Sequence, residues 1–594
     1  MSANSGKLFG GLMVFALALI LGGGFLASMI QTGGGDIEVK DVRYVGQNGK
    51  LVSALLYIPE GVNQKNPAPG IVATHGYINS RETQDGFAIE FARRGYVVLA
   101  VDQPGHGYSD PPAFASGFGG MDSLKYLRSL DIVDKDNIGL EGHSMGGWAS
   151  VIAAAVNPGG YQSLVLASSS TGTFGAPDGT PVFPRNMALI FSRYDEFSGL
   201  MWGSPVPADV VKTEKLQKVF GTTEPVVVGK LYGSVEDGTA RKLYQPNLIH
   251  PRVHFCSESI GNAIEWMQMT LKGGKDIPSA DQTWYWKELG TFIAMIGMIL
   301  MLFPLGRYLL GTEFFRELNE TPAERMALSG WGWGVGAVIT ILLPIPVYLW
   351  AWSFNAKGIA KATYLWPQEI TTTIMFWAFT VGVISLILFL LWHLLGNRKK
   401  GGTMASYGLS WQDGLKWGRI GKSFLLAFVV VFFAHLTLMI SDWLFLTDYR
   451  LWVFGIKPLD ETHFAIVLNY IIPFAFYFLI AGIVLHGQLR LGRKDGGDLT
   501  GWGEMIVNII LLIGGYILFL IFQYAPLFGG GTLAIPEGHL LGIVLFQFIP
   551  IFMIVALVST YFYRKTGHIY IGAFINAMLV TWIVVAGQAT HFAF

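Results

Sequence analysis

Two kinds of hydrophobic patterning divide the chain. Between about residues 36 and 285, short apolar runs alternate with amphipathic segments; outside that window, long apolar runs follow one another. Within the window, the unbroken apolar run 96–101 predicts a strand buried on both faces, and 70–74, 163–167 and 187–191 predict further strands. Residues 53–58 and 241–245 are further strand candidates, and 137–141 is a short strand running into a glycine-rich turn. Segments 87–94, 121–130, 147–156 and 260–271 predict helices. Strand and helix in alternation predict an α/β domain with a mostly parallel sheet covered on both faces.

The long runs predict membrane spans. Phe9 to Ile30 carries no charge over 22 residues, enough to cross a hydrocarbon core of about 30 Å. It exceeds the apolar core of a usual signal peptide, about 7–15 residues, and is read as a retained anchor. Eight more spans are expected near 289–310, 331–352, 371–395, 424–446, 464–486, 505–527, 540–562 and 570–590. The expected organisation is an anchor (1–35), an α/β domain (36–285) and an all-α polytopic membrane domain (286–594). With the N-terminus inside, thirteen Lys and Arg fall in inner loops, including Arg398, Lys399, Arg493 and Lys494. Only Lys357, Lys361, Arg450 and Lys457 fall in outer ones. That asymmetry predicts a multi-pass cell-membrane protein with its α/β domain on the extracytoplasmic side.

Composition sharpens this picture. Hydrophobic residues make up 52% of the chain and charged ones 14%, against roughly 25% charged in soluble domains. Formal net charge is zero, so no basic face for nucleic acid is expected. The single cysteine, Cys256, excludes intrachain disulfides and a cysteine-based zinc site. No metal and no cofactor is expected.

Chemistry enters at Gly142-His143-Ser144-Met145-Gly146, between the 137–141 strand and the Ala-rich helix 147–156. Glycines two residues either side of a serine permit a turn so tight that the hydroxyl stands clear of the backbone. Ser144 is thus the candidate nucleophile, and it needs a base and a carboxylate to orient that base. Each partner is expected just beyond the C-terminal end of a later strand. Asp195 follows the strand 187–191, with Glu196 beside it as a possible substitute. His250 stands five residues beyond the strand 241–245, and His254 four residues further on. The spacing favours His250 and leaves His254 open. His143 is expected to point away from the site, and His75 to brace its loop. For an oxyanion, the N–H groups of Met145 and Tyr77 are the expected donors.

These residues carry a resemblance. His75-Gly76, the Asp102-Gln103-Pro104-Gly105-His106-Gly107-Tyr108-Ser109 loop, Gly142 to Gly147, Tyr194-Asp195-Glu196 and His250 together make residues 36–275, about 40% of the chain, resemble an α/β-hydrolase. Within that superfamily the arrangement is similar to the dienelactone-hydrolase and acyl-aminoacyl-peptidase side. The resemblance implies a serine hydrolase, of esterase, lipase or peptidase type, cleaving an ester, thioester or amide through an acyl-enzyme. The expected partners are a small-molecule, lipid or peptide acyl substrate and membrane lipid. Two rival expectations are a transporter-like protein with an accessory hydrolase domain and an acyltransferase.

Overall fold

A computed structural model describes residues 3–358, 360–492 and 499–592; Arg493 and Lys494 lie outside them. Strands β1 (Ile37–Val45), β2 (Leu51–Pro59), β3 (Ala68–Thr74), β4 (Val97–Val101), β5 (Val133–His143), β6 (Ser163–Ala167), β7 (Met187–Ile190), β8 (Leu231–Tyr232) and β9 (Arg241–Tyr244) form one sheet. Its order is β1-β2-β4-β3-β5-β6-β7-β9-β8. The six strands from β4 to β9 along this order pair in parallel, and β1, β2 and β8 add antiparallel edges.

Helix α1 (Ala3–Gln31) precedes the sheet; α2 (Asp85–Arg93), α3 (Gly120–Ser129), α4 (Met145–Val156), α5 (Ser198–Trp202), α6 (Glu214–Phe220) and α7 (Ser257–Thr270) cover it. The side-chain alternation of strands explains the two layers. In β6, Leu164 and Leu166 join one core with Leu127 of α3 and Val151 of α4. Val165 and Ala167 join the other with Phe87 and Phe91 of α2 and Trp266 of α7.

Helices α8 (Trp284–Leu310), α9 (Gly330–Leu342), α10 (Pro344–Ala356), α11 (Glu369–Leu395), α12 (Trp417–Phe445), α13 (Glu461–Ile483), α14 (Gly501–Phe528), α15 (His539–Thr566) and α16 (Tyr570–Gly587) complete the chain. Among the described residues, nine spans are long and apolar enough to cross a membrane. The expected 331–352 helix is broken: α9 and α10 meet at Pro344, which offers no N–H to the preceding turn. Helices α1 and α8 touch backbone to backbone. A Cβ on Gly23 would sit 2.5 Å from the Gly290 oxygen, the close approach that small residues permit in membranes.

The long apolar helices are joined to the α/β domain by polar contacts. Strands β10 (Tyr449–Leu451) and β11 (Phe454–Ile456) form a hairpin between α12 and α13. Lys457, just past the hairpin, pairs with Glu82 at 2.5 Å, and the Trp452 indole N–H donates to the Pro251 oxygen at 2.6 Å. Helix α16 ends at Gly587, so the expected span to 590 stops short. The Thr590 N–H donates to the Gly105 oxygen at 2.8 Å, and its carbonyl accepts from the Ala113 N–H at 2.7 Å. The tail is thereby tied to the loop after β4.

Candidate active site

Strands β3, β5, β6, β7 and β9 run parallel, so their C-terminal ends share one edge of the sheet. Ser144 lies on the turn from β5 into α4 with φ 53° and ψ −120°. Such a backbone is uncommon for a non-glycine residue and is held by its surroundings. A Cβ on Gly146 would come 2.0 Å from the Thr74 oxygen, and one on Gly142 would come 2.2 Å from the Gly146 oxygen. Both motif glycines are therefore required by close packing. The Ser169 hydroxyl clasps the turn from outside, donating to the Ser144 carbonyl at 2.6 Å.

The acid and base loops are brought together by a ladder that outruns its strands. Beyond β7 and β9, the Phe191 N–H donates to Tyr244, Arg193 to Pro246 and Tyr194 to Leu248, at 2.9 to 3.0 Å. This brings Asp195 to His250: the imidazole Nδ1 is 3.1 Å from each carboxylate oxygen. Asp195 is fully buried and His250 is 4% exposed. A carboxylate accepts only, so Nδ1 carries the proton. Burial of the imidazole opposes its charged form, yet the charge and hydrogen bond of Asp195, helped by Glu196, outweigh it and hold the His250 pKa above its usual value.

Glu196 has a separate task. Its Oε2 accepts the His250 backbone N–H at 2.6 Å, and its Oε1 accepts the Tyr524 hydroxyl of α14 at 2.8 Å. Burial and the neighbouring Asp195 charge push its pKa up to about 7, against the pull of His250.

His254 has no hydrogen-bond partner on either ring nitrogen among the described residues. Burial, then Arg450 and His250, push its pKa down to about 3. His143 does not point away as expected. Its Nε2 donates to the His250 carbonyl at 3.2 Å, and its ring lies 5.0 Å from that of His250 and 4.8 Å from that of His254. The reason is the absent side chain at Gly76, where a Cβ would stand 3.0 Å from both His143 Nδ1 and the Ser144 Cβ. His75 braces its loop: Nε2 accepts the Gln103 N–H at 3.0 Å and Nδ1 donates to the Gly76 oxygen at 2.6 Å.

Ser144, His250, Met145 and Tyr77 line one cavity of about 390 Å³, together with His143 and His254. Met145 opens α4, so its N–H has no acceptor within that helix. No group of His, Cys, Asp and Glu suited to a metal occurs among the described residues.

Residues 69–196 match the family model of the alpha/beta hydrolase fold. The sheet domain has the α/β-hydrolase fold. Two curated relatives match shorter stretches. A 2-hydroxy-6-oxononadienedioate/2-hydroxy-6-oxononatrienedioate hydrolase of Cupriavidus pinatubonensis is 38% identical over 78 residues, 13% of this chain and 27% of that protein. A hydrolase of the same description from Dechloromonas aromatica is 29% identical over 102 residues, 17% of this chain and 35% of that one. The chain thus spans about a quarter to a third of the length of these relatives. Among solved structures, an esterase of Pyrococcus furiosus is similar at 18% identity and a TM-score of 0.29, covering 40% of this chain and 95% of that one. An esterase of Pyrobaculum calidifontis is similar at 17% identity and a TM-score of 0.29, covering 46% and 99%.

Part of this site is invisible to spacing. Glu196, Tyr524 and the histidine cluster are assembled from four separate segments. The one sequence signal is the adjacent carboxylate pair Asp195-Glu196.

Proposed function

We propose that this protein is a membrane-embedded serine hydrolase that cleaves an ester, thioester or amide through an acyl-enzyme on Ser144. The observation that carries the reading is the Asp195–His250 pair, whose imidazole faces the same cavity as a serine on a strand-to-helix turn. Ser144 Oγ bonds to the acyl carbon while His250 Nε2 takes the hydroxyl proton. The N–H groups of Met145 and Tyr77 receive the oxyanion. His250 then hands the proton to the departing alkoxide, thiolate or amine as its bond to the acyl carbon breaks. Water attacks the acyl-serine, His250 takes its proton and returns it to Ser144 Oγ, and a carboxylic acid leaves. Asp195 keeps the proton on Nδ1 throughout, leaving Nε2 free to act as base.

The catalytic domain belongs on the extracytoplasmic side in this reading. The cation asymmetry of the loops supports it. So does the fact that the outer-loop cations Arg450 and Lys457 both approach Glu82 of the α/β domain.

The test is hydrolysis of a p-nitrophenyl ester by purified full-length protein. Ser144→Ala and His250→Ala are expected to lose activity by at least about a thousandfold. His254→Ala is expected to stay within about tenfold of the parent, because its unpartnered ring has no carboxylate to orient it. Undiminished hydrolysis by Ser144→Ala refutes the mechanism; loss in His254→Ala with retention in His250→Ala moves the base.

A further inference from the structure

The wall of the Ser144 cavity facing the α/β domain is built by the membrane domain. His539, Leu540, Ile543 and Gln547 of α15 and Val453 of the β10–β11 hairpin line it. Trp148, Phe174 and Met201 of the α/β domain line the same cavity. The spacing of the α15 residues explains how one helix supplies four lining residues: positions 539, 540, 543 and 547 fall on one helical face. That face belongs to a helix long and apolar enough to cross a membrane.

Two further observations bear on what fits inside. Among the described residues, no Lys or Arg lines the cavity. Arg450 and Lys457 line a smaller neighbouring cavity that shares Val453 and Gln547, and both are ion-paired, with Asp448 and Glu82. A carboxylated substrate such as the dienedioates in the relatives' names would meet imidazoles and amides in the Ser144 cavity but no guanidinium or ammonium, and a buried charge without a partner is disfavoured. Second, the rim is apolar. Phe114, Phe174 and Leu200 line the cavity and are 47%, 63% and 44% exposed. Large apolar side chains grouped at a cavity mouth mark a surface that receives apolar material.

We propose that the cavity takes the uncharged aliphatic acyl chain of the substrate, and that α15 determines its length, with Ile543 the residue against which the chain abuts. This assignment rests on the serine-hydrolase reading above. The membrane domain then supplies the substrate-binding wall of the enzyme as well as its anchorage. That accounts for a catalytic domain being held against the ends of membrane helices by a buried ion-pair network.

The experiment measures kcat/KM for p-nitrophenyl acetate, butyrate, octanoate and laurate with full-length protein in detergent micelles, per active site titrated with a small fluorophosphonate. The parent is expected to favour octanoate over acetate. Ile543→Trp is expected to lower the octanoate-to-butyrate ratio about tenfold, and Ile543→Ala to raise the laurate-to-octanoate ratio by a similar factor. Opposite shifts from opposite changes of bulk cannot come from general misfolding, and the titration removes unfolded protein from the count. Equal turnover of all four esters by the parent, or ratios that move in neither variant, overturns the proposal while leaving a Ser144-dependent hydrolase standing. A parent that hydrolyses a dienedioate faster than octanoate also overturns it. Failure of the fluorophosphonate to titrate Ser144 refutes the hydrolase reading instead.

Discussion

The two adjacent carboxylates divide the work at His250. Asp195 meets the ring, and Glu196 meets the backbone N–H of the same residue. Asp195→Asn is therefore expected to cut turnover by about 10⁴-fold, because an amide at Nδ1 admits the wrong tautomer. Glu196→Gln, which keeps an acceptor for the backbone N–H, is expected to cost far less; steady-state kinetics of the pair distinguishes them. The pH dependence follows from the sign of the His250 shift. In the proposed mechanism neutral imidazole is the base, so kcat/KM is expected to rise with pH through the His250 pKa. Asp195 outweighs burial, so that limb lies above the ordinary value of 6.5. Residual activity in Asp195→Asn is expected to show the limb at lower pH, since the main upward pull is gone; a pH–rate profile in which the limb does not move contradicts this. The sequence places Ser144, Asp195 and His250 each a few residues beyond a strand candidate, and the structure sets Asp195 against the His250 ring and His250 in one cavity with Ser144. The orientation of His143 was not legible in the sequence: it depends on the space that Gly76, almost seventy residues away, leaves open.

Alternation of apolar runs was enough to predict the parallel centre of the sheet, since strands buried on both faces are apolar without interruption. The two-residue β8 was not legible, being too short to carry a period. Nor was the β10–β11 hairpin, whose strands of three residues each are too short to show a period in the connection between two spans. Hydropathy finds where a helix crosses but not what its end touches. Tyr524 illustrates this: it sits in an apolar run, yet its hydroxyl braces Glu196 and through it the base loop. Tyr524→Phe leaves a buried carboxylate oxygen without its donor. A hydrogen bond to a charged group is worth about 1.5–3 kcal/mol, so hydrolysis is expected to fall about tenfold or more while membrane insertion is unchanged. Turnover equal to the parent's would mean that α14 does not position the base.

For the whole molecule, the proposed function requires the sheet domain to lie against the ends of the apolar helices on one side of a bilayer. Sidedness is checked with single cysteines in a Cys256→Ser background. Lys65→Cys, exposed on the α/β domain, is expected to react with an impermeant maleimide in intact cells. Lys399→Cys, exposed after α11, is expected to react only once the membrane is opened. The reverse pattern inverts the topology. The claim on which all else rests is that one serine carries the acyl group. It is tested most directly by labelling the full-length protein with a fluorophosphonate and locating the adduct by peptide mass spectrometry. The account predicts a single adduct on Ser144, absent from Ser144→Ala; an adduct on any other residue, or undiminished labelling of that variant, contradicts it.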